Sequence, residues 1–383
     1  MYHRLLLLDA LRGVAALIVL WYHCYEGFGY EVAAGSGIYT QPCDHGYLAV
    51  DFFFLLSGFV IGYAYDQRWK KGLTTGQFAL RRLIRLHPMV IAGAVLGLVT
   101  FLIQGGVDWS GNHASPGWIT IAFMMALLLV PCWPGFGADV RGNGEMYPLN
   151  GPHWSLFFEY IGNVLYALLL RRLPTALLAL LTLISGLALA YSVLRLGYLG
   201  VGWSFIDGGF GWGMIRMLFP YCLGMLMARR FMRLKATRPS ASPGKVRLTF
   251  LITAAALLVT LPVPFVGSPL QPWQNGLYII TLLVIVFPLV VWFAARAGSS
   301  DSKVARFLGD ISYPLYTVHY PFMYLFYAYI GFPDTHGTMA DVWPVALALV
   351  AFNILLAWLL MKFYDLPVRR WLSQKLHKGC SIN

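Results

Sequence analysis

The sequence predicts an all-α membrane protein: a polytopic helix bundle of about ten crossings plus one short re-entrant or interfacial segment. Hydrophobic residues make up 58% of the 383-residue chain and charged residues only 11%, whereas soluble domains carry about 25% charged residues. Long apolar segments recur along the whole chain, and no polar stretch is long enough for a separate soluble domain. We therefore expect residues 1–383 to form a single integral-membrane domain.

Apolar segments follow one another at residues 5–25, 48–65, 88–104, 117–133, 153–170, 175–194, 211–228, 248–263, 276–295, 311–330 and 342–362. Most are long enough to span, because roughly 20 residues cross the hydrocarbon core. The segment 117–133 is short and has no basic cluster beside it. We expect it to be re-entrant or interfacial, which leaves an even number of crossings.

Lysine and arginine clusters predict the orientation. They occupy residues 68–85, 171–172, 229–247, 296–306 and 362–378, and all of them fall on one side if the N-terminus is cytoplasmic. The positive-inside rule then places both termini in the cytoplasm. It also explains the net charge of +12 without a nucleic-acid partner. The basic, Pro- and Ser-rich stretch 235–247 is predicted to be a flexible cytoplasmic loop.

The five cysteines show no CxxC or Cys/His spacing typical of a metal site, so no metal is expected. Buried apolar thiols are the simplest interpretation. A disulfide between Cys24 and Cys43 is an open alternative if the loop between the first two spans is extracytoplasmic.

The first span carries Asp9, Arg12 and His23, although an Arg or Asp at the centre of a span costs about 2.5–3.5 kcal/mol on insertion. Arg12 and His23 share a helical face, roughly 16 Å apart along the axis. We expect this face to line a cavity in which His23 is a general base, since imidazole titrates near neutral pH. The alternative is an interfacial, hydrogen-bonded histidine. Asp9 is expected to form a structural pair with Arg12.

The second span places Asp51 at its outer start and Ser57-Gly58 two turns deeper. Two roles are open for Asp51: it orients His23, as in other acid–histidine pairs, or it caps the helix. Ser57 and Gly58 are interpreted as small residues that let helices approach closely. A nucleophilic Ser57 is the less favoured alternative.

Arginines follow in the basic run FALRRLIRLHPM, at Arg81, Arg82 and Arg85. Arg82 and Arg85 are three apart and share a face of a short helix. Positive-inside topology alone accounts for such a cluster. Arginine pairs also bind phosphates bidentately, so we expect a cytosolic anionic cofactor to dock here.

Polar residues at the start of the segment 153–170 form another group. His153, Trp154 and Ser155 are expected at the outer interface, where Trp154 is also typical of an interfacial aromatic. Glu159 lies within the hydrocarbon and is a functional candidate, since an intramembrane carboxylate is costly. Arg216, in a later span, is expected to neutralise Glu159 or a substrate carboxylate.

The block GDISYPLYTVHYPF contains Tyr313 and His319. Asp310 or Ser312 is expected to cap the start of its helix, with Pro314 in the first turn. His319 is expected near mid-membrane. It is either a hydrogen-bonded core histidine or a functional group.

Several of these blocks occur together in one order. They are LDALRGVAALIVLWYH (Arg, ten residues, His), VDFFFLLSGFVI, FALRRLIRLHP with its RxxR pattern, HWSLFFE and LGDISYPLYTVHYP. As a set they resemble the acyltransferase 3 family of membrane acyltransferases, and they span almost the whole chain. The HWSLFFEYIGNVLY block departs slightly from the family form, which is richer in polar residues after the Glu.

The resemblance implies an enzyme that takes an acyl group, commonly acetyl, from cytosolic acyl-CoA. The implied acceptor is a hydroxyl of an extracytoplasmic glycan or other envelope molecule, and the implied location is a bacterial inner membrane. The family pattern makes His23 the catalytic base and Arg12 its partner, and it assigns Arg82 and Arg85 to the acyl donor.

We combine the residues and the resemblance into one site hypothesis, in which His23 deprotonates the acceptor and Arg12 or Tyr313 stabilises the oxyanion. An acyl-enzyme on Ser57, a transporter or flippase, and an inactive scaffold are the alternatives. The acceptor, the acyl chain length and the oligomeric state stay open. The expected groups are catalytic His23, Arg12, Asp51 and Glu159; donor-binding Arg81, Arg82, Arg85, Tyr313 and His319; and acceptor-binding His153, Trp154, Ser155 and Arg216.

Overall fold

The computed structural model describes residues 5–28, 45–234, 242–268, 270–298, 302–332, 334 and 337–380. Within these ranges the chain is helical and contains no β-strand, only isolated bridges that join Val107 to His113 and Glu145 to Ser204. The predicted all-α class is confirmed. That residues 1–383 form one domain stays a prediction.

The described residues form fourteen α-helices. Their bounds are α1 Leu6–Glu26, α2 Ala49–Lys70, α3 Thr75–Ile103, α4 Pro116–Leu128, α5 His153–Leu168, α6 Thr175–Leu196, α7 Gly209–Leu234, α8 Pro243–Thr260, α9 Trp273–Thr281, α10 Phe287–Ala297, α11 Lys303–Val318, α12 Tyr320–Ile330, α13 Met339–Leu360 and α14 Leu366–Cys380. Short π-helical segments join α9 to α10 and α13 to α14 without a loop.

Eight helical stretches in the described part of the chain are long and apolar enough to cross a membrane. They begin at Leu6, Gly46, Thr75, Thr175, Gly209, Pro243, Trp273 and Met339. The predicted membrane helix bundle is confirmed. Helix α4 has only 13 residues, and α5 and the α11–α12 pair are not among the eight. The number of crossings, and the re-entrant placement of segment 117–133, stay predictions.

Helices α2 and α7 approach closely because glycines face each other across their contact. A Cβ added at Gly58 would lie 1.9 Å from the carbonyl oxygen of Tyr221, and one added at Gly224 would lie 2.2 Å from that of Leu55. No side chain fits at such distances, so these positions require glycine. The expected packing role of Gly58 is confirmed.

Helix α1 is held against α11 in the same way. A Cβ at Gly13 would lie 2.3 Å from the carbonyl oxygen of Leu308, and one at Gly309 would lie 2.7 Å from Cβ of Asp9. Close approach here fixes the face of α1 that carries Asp9 and Arg12. The helix with the three ionisable groups is therefore a central element rather than a peripheral anchor.

Three expected helix starts are wrong. Helix α3 begins at Thr75, behind a capping box of Thr74 and Gln77, so the arginine run belongs to this long helix and not to a separate short one. Helix α11 begins at Lys303, where the Ser302 hydroxyl accepts from the Ala305 amide at 3.4 Å, and Pro314 lies inside it. Helix α8 begins at Pro243, so the end of the expected loop 235–247 is helical.

Helices α11 and α12 meet at His319, where Pro321 follows two residues later. Proline lacks the N–H that would continue the helical ladder, and the break falls at this point. The break separates Tyr316, at the end of α11, from Tyr320, at the start of α12. Both tyrosines line cavities.

Two cavities along the first helix

Helix α1 contributes to two cavities. The histidine cavity, of about 160 Å³, is lined by His23, Glu26, Glu145 and many aromatic side chains. The arginine cavity, of about 590 Å³, is lined by Arg12, Arg68, Arg82, Arg85 and Arg369, among others. Val50 and Tyr316 line both cavities, so the two spaces share a wall.

His23 is held by a carboxylate that lies one helical turn further along α1. Its Nδ1 lies 2.6 Å from Oε2 of Glu26. An ionised carboxylate only accepts hydrogen bonds, so this contact places the proton on Nδ1 and leaves the lone pair on Nε2. The contact has the geometry of the acid–histidine pairs of hydrolases.

Glu26 is in turn held by tyrosines from α12. Tyr320 and Tyr327 donate to its Oε2 at 3.0 and 2.8 Å, and the Tyr327 hydroxyl also donates to the backbone oxygen of His23 at 2.9 Å. The ring of Tyr320 packs edge-on against that of His23, with 4.7 Å between centroids. Donors to the carboxylate favour its charged form, which keeps it an acceptor for His23.

Aromatic side chains form most of the remaining wall of the histidine cavity. They are Tyr22, Tyr47, Trp109, Trp154, Tyr198, Trp203, Tyr316, Tyr320, Tyr324, Tyr327 and Phe332. Such walls, with a few polar groups that fix orientation, are typical of small-molecule sites.

Glu145 is a second carboxyl group at the histidine cavity, and it lies in the segment between α4 and α5. It accepts a short hydrogen bond from Tyr324. Burial raises the pKa of Glu145 to about 7, although the hydrogen bond from Tyr324 and the charge of Arg141 oppose the shift. The guanidinium of Arg141 stacks on the ring of Tyr324, 3.5 Å from its centroid.

Several arginines of the arginine cavity form ion pairs with described carboxylates. Arg12 pairs with Asp9 at 3.1 Å, Arg82 with Glu159 at 2.7 Å and Arg369 with Asp365 at 2.7 Å. Within the described residues, no ion pair joins Arg85 to a carboxylate. A guanidinium carries five N–H donors, so the paired arginines also retain donors; Nε of Arg12 and Nε of Arg82 have no protein acceptor among the described residues.

Glu159 lines the arginine cavity. Its Oε1 accepts from Arg82 at 2.7 Å and from the Ser57 hydroxyl at 2.8 Å. The expected neutralisation of Glu159 by Arg216 is wrong, because the partner comes from α3. Ser57, in the same cavity, donates to a carboxylate and has no histidine among its described contacts.

Asp51 pairs with Arg216 and does not contact His23. The guanidinium of Arg216 donates to both carboxylate oxygens, at 2.8–3.2 Å, and the side chains of Asp51 and Arg216 are only 0% and 2% exposed. The N-cap position of α2 is held by Leu48, and Asp51 lies in the first turn. The expected contact of Asp51 with His23 is wrong: Asp51 joins α2 to α7, while Glu26 takes the position beside His23.

Ser155 and Tyr313 belong to the arginine cavity. The Tyr313 hydroxyl donates to the backbone oxygen of Leu86 at 2.5 Å. The Ser155 hydroxyl lies 2.6 Å from that of Tyr316, which fixes the tyrosine in the shared wall. Trp154, one residue earlier, lines the histidine cavity and stacks on Arg216 at 5.1 Å. Two consecutive residues of α5, Trp154 and Ser155, thus line different cavities on opposite sides of the shared wall.

The other expected residues lie near the cavities without lining them. Arg81 is not part of the arginine cavity, unlike Arg82 and Arg85. His153 is fully buried, and neither ring nitrogen has a partner among the described residues. His319 is 1% exposed, and its ring lies 5.2 Å from that of His23. The structure therefore brings His319 beside His23 and away from the arginines with which it was grouped.

Sequence reasoning missed Glu26, Tyr320, Tyr327 and Glu145. Glu26 carries a usable signal, because residues three apart face the same way on a helix. Tyr320 directly follows His319 within the predicted block GDISYPLYTVHYPF, whereas Tyr327 lies beyond the end of that block. Glu145 gives no signal, since it lies in an irregular segment.

Within the described residues, no group of three or more His, Cys, Asp or Glu side chains is arranged to hold a metal ion. Cys43 lies outside these residues, so the disulfide between Cys24 and Cys43 stays a prediction.

Comparison with known proteins identifies the family. The family model of the acyltransferase domain (Acyl_transf_3) matches residues 5–362, which is nearly the whole chain. The chain belongs to the acyltransferase 3 family. The expectation drawn from the motif set is confirmed, and this membrane helix bundle is an acyltransferase-family protein.

Three curated relatives share parts of this acyltransferase-family chain. Protein 2 in the picA locus of Rhizobium radiobacter is 33% identical over 43% of this chain and 81% of its own length. The acyltransferase MdmB of Streptomyces mycarofaciens is 34% identical over 45% of this chain and 41% of its own. The peptidoglycan O-acetyltransferase OatA of Listeria monocytogenes is 26% identical over 95% of this chain and 55% of its own. The matched regions span about half of the latter two relatives. No solved structure matches the chain.

Proposed function

We propose that this protein is an O-acyltransferase that moves an acyl group, commonly acetyl, from cytosolic acyl-CoA to a hydroxyl of an extracytoplasmic glycan or other envelope molecule. His23 is the general base. The observation that carries the proposal is the pairing of His23 with Glu26 in an aromatic cavity that shares a wall with a cavity of arginines.

The arginine cavity is the proposed donor site. Phosphates are bound by arginines through charge-assisted hydrogen bonds, and Arg85 and Arg82 supply N–H groups there. Arg12 lines the same cavity, about 16 Å along α1 from His23. We therefore assign Arg12 to the donor and not to the oxyanion formed beside His23.

The shared wall is the proposed point of transfer. Tyr316 and Val50 border both cavities, so an acyl chain that extends from the arginine cavity past Tyr316 arrives beside the histidine cavity. The hydrogen bond between Ser155 and Tyr316 holds this residue in a defined position. The thioester carbonyl would then meet an acceptor hydroxyl near His23.

The proposed step is a direct attack. Nε2 of His23 takes the proton of the acceptor hydroxyl. At the same time the oxygen of that hydroxyl bonds to the carbonyl carbon of the thioester. The carbon–sulfur bond then breaks, and the coenzyme A sulfur leaves with the proton that His23 returns. Glu26 holds Nδ1–H and stabilises the imidazolium between the two transfers. A positioned base of this kind contributes about 10²–10⁴-fold in rate.

Ser57 is a poor candidate for an acyl-enzyme, which favours the direct step. An activated serine donates its hydrogen bond to a base such as histidine, whereas Ser57 donates to Glu159, a carboxylate that already pairs with Arg82. The described surroundings of Ser57 contain no imidazole that could take its proton.

The acceptor is proposed to be a sugar hydroxyl. Aromatic rings such as Trp109, Trp154 and Trp203 provide flat apolar walls, while Glu26, Glu145 and Asn143 provide hydrogen-bond partners. The relative OatA is by its name a peptidoglycan O-acetyltransferase. With the arginine cavity facing the cytosol, both termini of the chain lie in the cytoplasm, in what we propose is a bacterial inner membrane.

Turnover of acyl-CoA tests the proposal. Purified wild-type protein, with a glycan acceptor and a panel of acyl donors, should release free thiol, and His23→Ala should lower the rate by at least about a hundredfold. His113→Ala, at an exposed histidine outside both cavities, is the matched control. Equal rates for His23→Ala and the control would remove His23 from the mechanism. If acceptor and donor together gave no thiol, while acceptor crossed liposomes without donor, the protein would be a transporter instead.

A further inference from the structure

A third cleft, separate from both cavities except at Tyr63, lies where the ends of α2 and α7 meet the start of α6. Its volume is about 900 Å³, and we refer to it as the three-helix cleft. It is lined by Tyr63, Asp66, Gln67, Trp69, Lys70, Lys71, Arg171, Leu173, Pro174, Thr175, Arg229, Met232 and Arg233. Acyl transfer as proposed above makes no use of it.

Positive charge dominates the three-helix cleft. Its lining contains two lysines and three arginines, but among the described lining residues the only carboxylate is that of Asp66. Asp66 is engaged by the Tyr166 hydroxyl, which donates to it at 2.7 Å. Cations gathered in a concave site raise the local concentration of anions. The positive-inside rule explains why basic residues lie at this end of the bundle. It does not explain why five of them line a single cleft.

Two of the arginines are fixed in place and serve different purposes. Arg229 donates to backbone oxygens of Leu170 and Leu173, so it holds the wall of the cleft. The Cζ atom of Arg171 lies over the ring of Trp69, 3.9 Å from its centroid, and its Nε donates to the backbone oxygen of Ala167. A guanidinium that is already positioned loses little freedom when its remaining N–H groups bind a phosphate.

The surroundings of the three-helix cleft favour a lipid over a soluble ligand. The first turns of α6, next to the cleft, expose Leu177, Leu180 and Leu183 by 50–58%, as expected of a face that contacts acyl chains. Tyr63 lines both this cleft and the arginine cavity, which places the cleft at the end of the bundle proposed to face the cytosol. Basic residues at that level meet lipid headgroups.

We propose that the three-helix cleft binds the phosphate of an anionic phospholipid in the cytoplasmic leaflet, with its acyl chains along the exposed face of α6. Arg171, Arg233 and Lys71 contact the phosphate, and Arg229 maintains the site. A bound lipid would join the ends of α2 and α7 to the start of α6; among the described residues, Arg229 already links α7 to the start of α6 by hydrogen bonds.

Lipid retention tests this proposal in the full-length protein. Detergent-purified protein is titrated with phosphatidylglycerol or phosphatidylcholine, and bound lipid is counted by native mass spectrometry.

The variant Lys71→Gln/Arg233→Gln changes side chains at the rim of the cleft, so folding should be preserved. The matched control is Arg172→Gln/Arg230→Gln, which removes the same charge from neighbouring basic residues that do not line the cleft. Each basic residue near an anionic lipid strengthens binding by about fivefold, so the cleft variant should bind phosphatidylglycerol about thirtyfold more weakly, and the control should bind as wild type does.

Further arms of the experiment separate a lipid site from diffuse attraction and from a site for soluble phosphate. Arg171→Lys keeps the charge but loses the guanidinium that lies over Trp69, and it should also weaken binding. Equal weakening in the cleft variant and the control would mean diffuse attraction and would overturn the proposal. So would displacement of phosphatidylglycerol by inorganic phosphate or coenzyme A, since the cleft would then take a soluble phosphate. Equal retention of phosphatidylcholine would overturn the requirement for an anionic headgroup.

Discussion

The imidazole of His23 has one nitrogen held by Glu26, and the other has no hydrogen-bond partner in the described part of the chain. The carboxylate is itself held by Tyr320 and Tyr327, so the orientation of the base depends on side chains from both α1 and α12. In this arrangement Glu26 is a positioning residue: it contacts His23 and acts on the acceptor only through it.

Glu26→Gln should lower kcat by about 10²-fold with little change in the KM for acyl-CoA. An amide can offer its N–H to Nδ1, which favours the wrong tautomer and leaves no lone pair on Nε2. Steady-state kinetics measure both parameters, with Tyr327→Phe as a milder variant of the same network. A rise in the KM for acyl-CoA that accompanies the fall in kcat would indicate a structural role instead.

Glu145 should make stability fall as the pH rises. Burial raises its pKa to about 7 from an ordinary value of 4.5, so the folded protein favours the neutral acid. The stabilisation is complete below pH 4.5 and is lost as the pH rises through about 7; the loss is about 3 kcal/mol at most. The melting temperature of wild type should therefore fall relative to that of Glu145→Gln between about pH 5 and 8.

Asp108→Asn is the control for this pH effect. Backbone N–H groups, chiefly that of Asn112, hold the pKa of Asp108 below its ordinary value. This carboxyl does not change its charge between about pH 5 and 8, so the variant and wild type should differ by a constant amount. A parallel pH dependence for wild type and Glu145→Gln would show that Glu145 stays charged throughout.

Single residues could be predicted from the sequence only where local geometry decides their contacts. Asp9 pairs with Arg12 as predicted, because residues three apart meet on a helix. The same rule applies to His23 and Glu26, whereas Asp51 was the expected partner. Asp51 meets Arg216 across 165 positions, and no single-sequence rule gives a contact of that separation.

At the scale of elements, the contact between α2 and α7 combines a glycine seam with a buried ion pair. Gly58 and Gly224 let the backbones approach, and Asp51 with Arg216 joins the helices further along. Removing one partner of a buried pair leaves an uncompensated charge, which costs about 3–5 kcal/mol.

Gly58→Ala should destabilise the protein by about 1–3 kcal/mol, since overpacking of a close contact has this typical cost. Gly211→Ala on α7 is the matched control, because a Cβ there meets nothing within 4 Å; alanine should stabilise that position by roughly 0.5–1 kcal/mol. Melting temperatures in one detergent compare the two. Equal shifts of the same sign would show that α2 and α7 are not in close contact at Gly58.

Asp51→Ala should lower the melting temperature strongly, and Asp51→Leu/Arg216→Met should recover most of it. Apolar residues of similar volume often replace a buried pair without loss of stability. A Leu/Met variant as unstable as Asp51→Ala would mean that the pair itself is required. A melting temperature of Asp51→Ala equal to that of wild type would contradict the structural role of Asp51 and favour the catalytic role.

Helix ends were less predictable than helices. The start of α3 depends on the capping box of Thr74 and Gln77, which precedes a run of arginines that conceals its apolar period. The break at His319 was not predicted either, although Pro321 stands close by. Both are local features whose outcome depends on packing against neighbouring helices.

At the scale of the whole molecule, the proposed function requires that donor and acceptor occupy different cavities. The family and the membrane bundle could be predicted from motif order and composition. The division into two cavities could not, because Trp154 and Ser155 are adjacent in sequence and line opposite sides of the wall.

Substitutions in the two cavities should therefore change the KM values of different substrates. Arg85→Gln should raise the KM for acyl-CoA by about 10–100-fold, the typical worth of a hydrogen bond to a charged group, without changing that for the acceptor. Arg81→Gln, which removes a neighbouring charge outside the arginine cavity, should change neither. Trp203→Ala should raise the acceptor KM by about 2–10-fold. If Arg85→Gln and Trp203→Ala changed the same KM, the two cavities would not bind different substrates.

The sidedness of acyl transfer tests the proposed function most directly. Labelled acetyl-CoA is added outside sealed vesicles whose outer surface carries the arginine end of the protein, with a glycan acceptor enclosed inside. We expect label on the enclosed acceptor with wild type and none with His23→Ala. Label on the acceptor only when it is on the same side as acetyl-CoA would contradict transfer between two cavities that open to opposite faces.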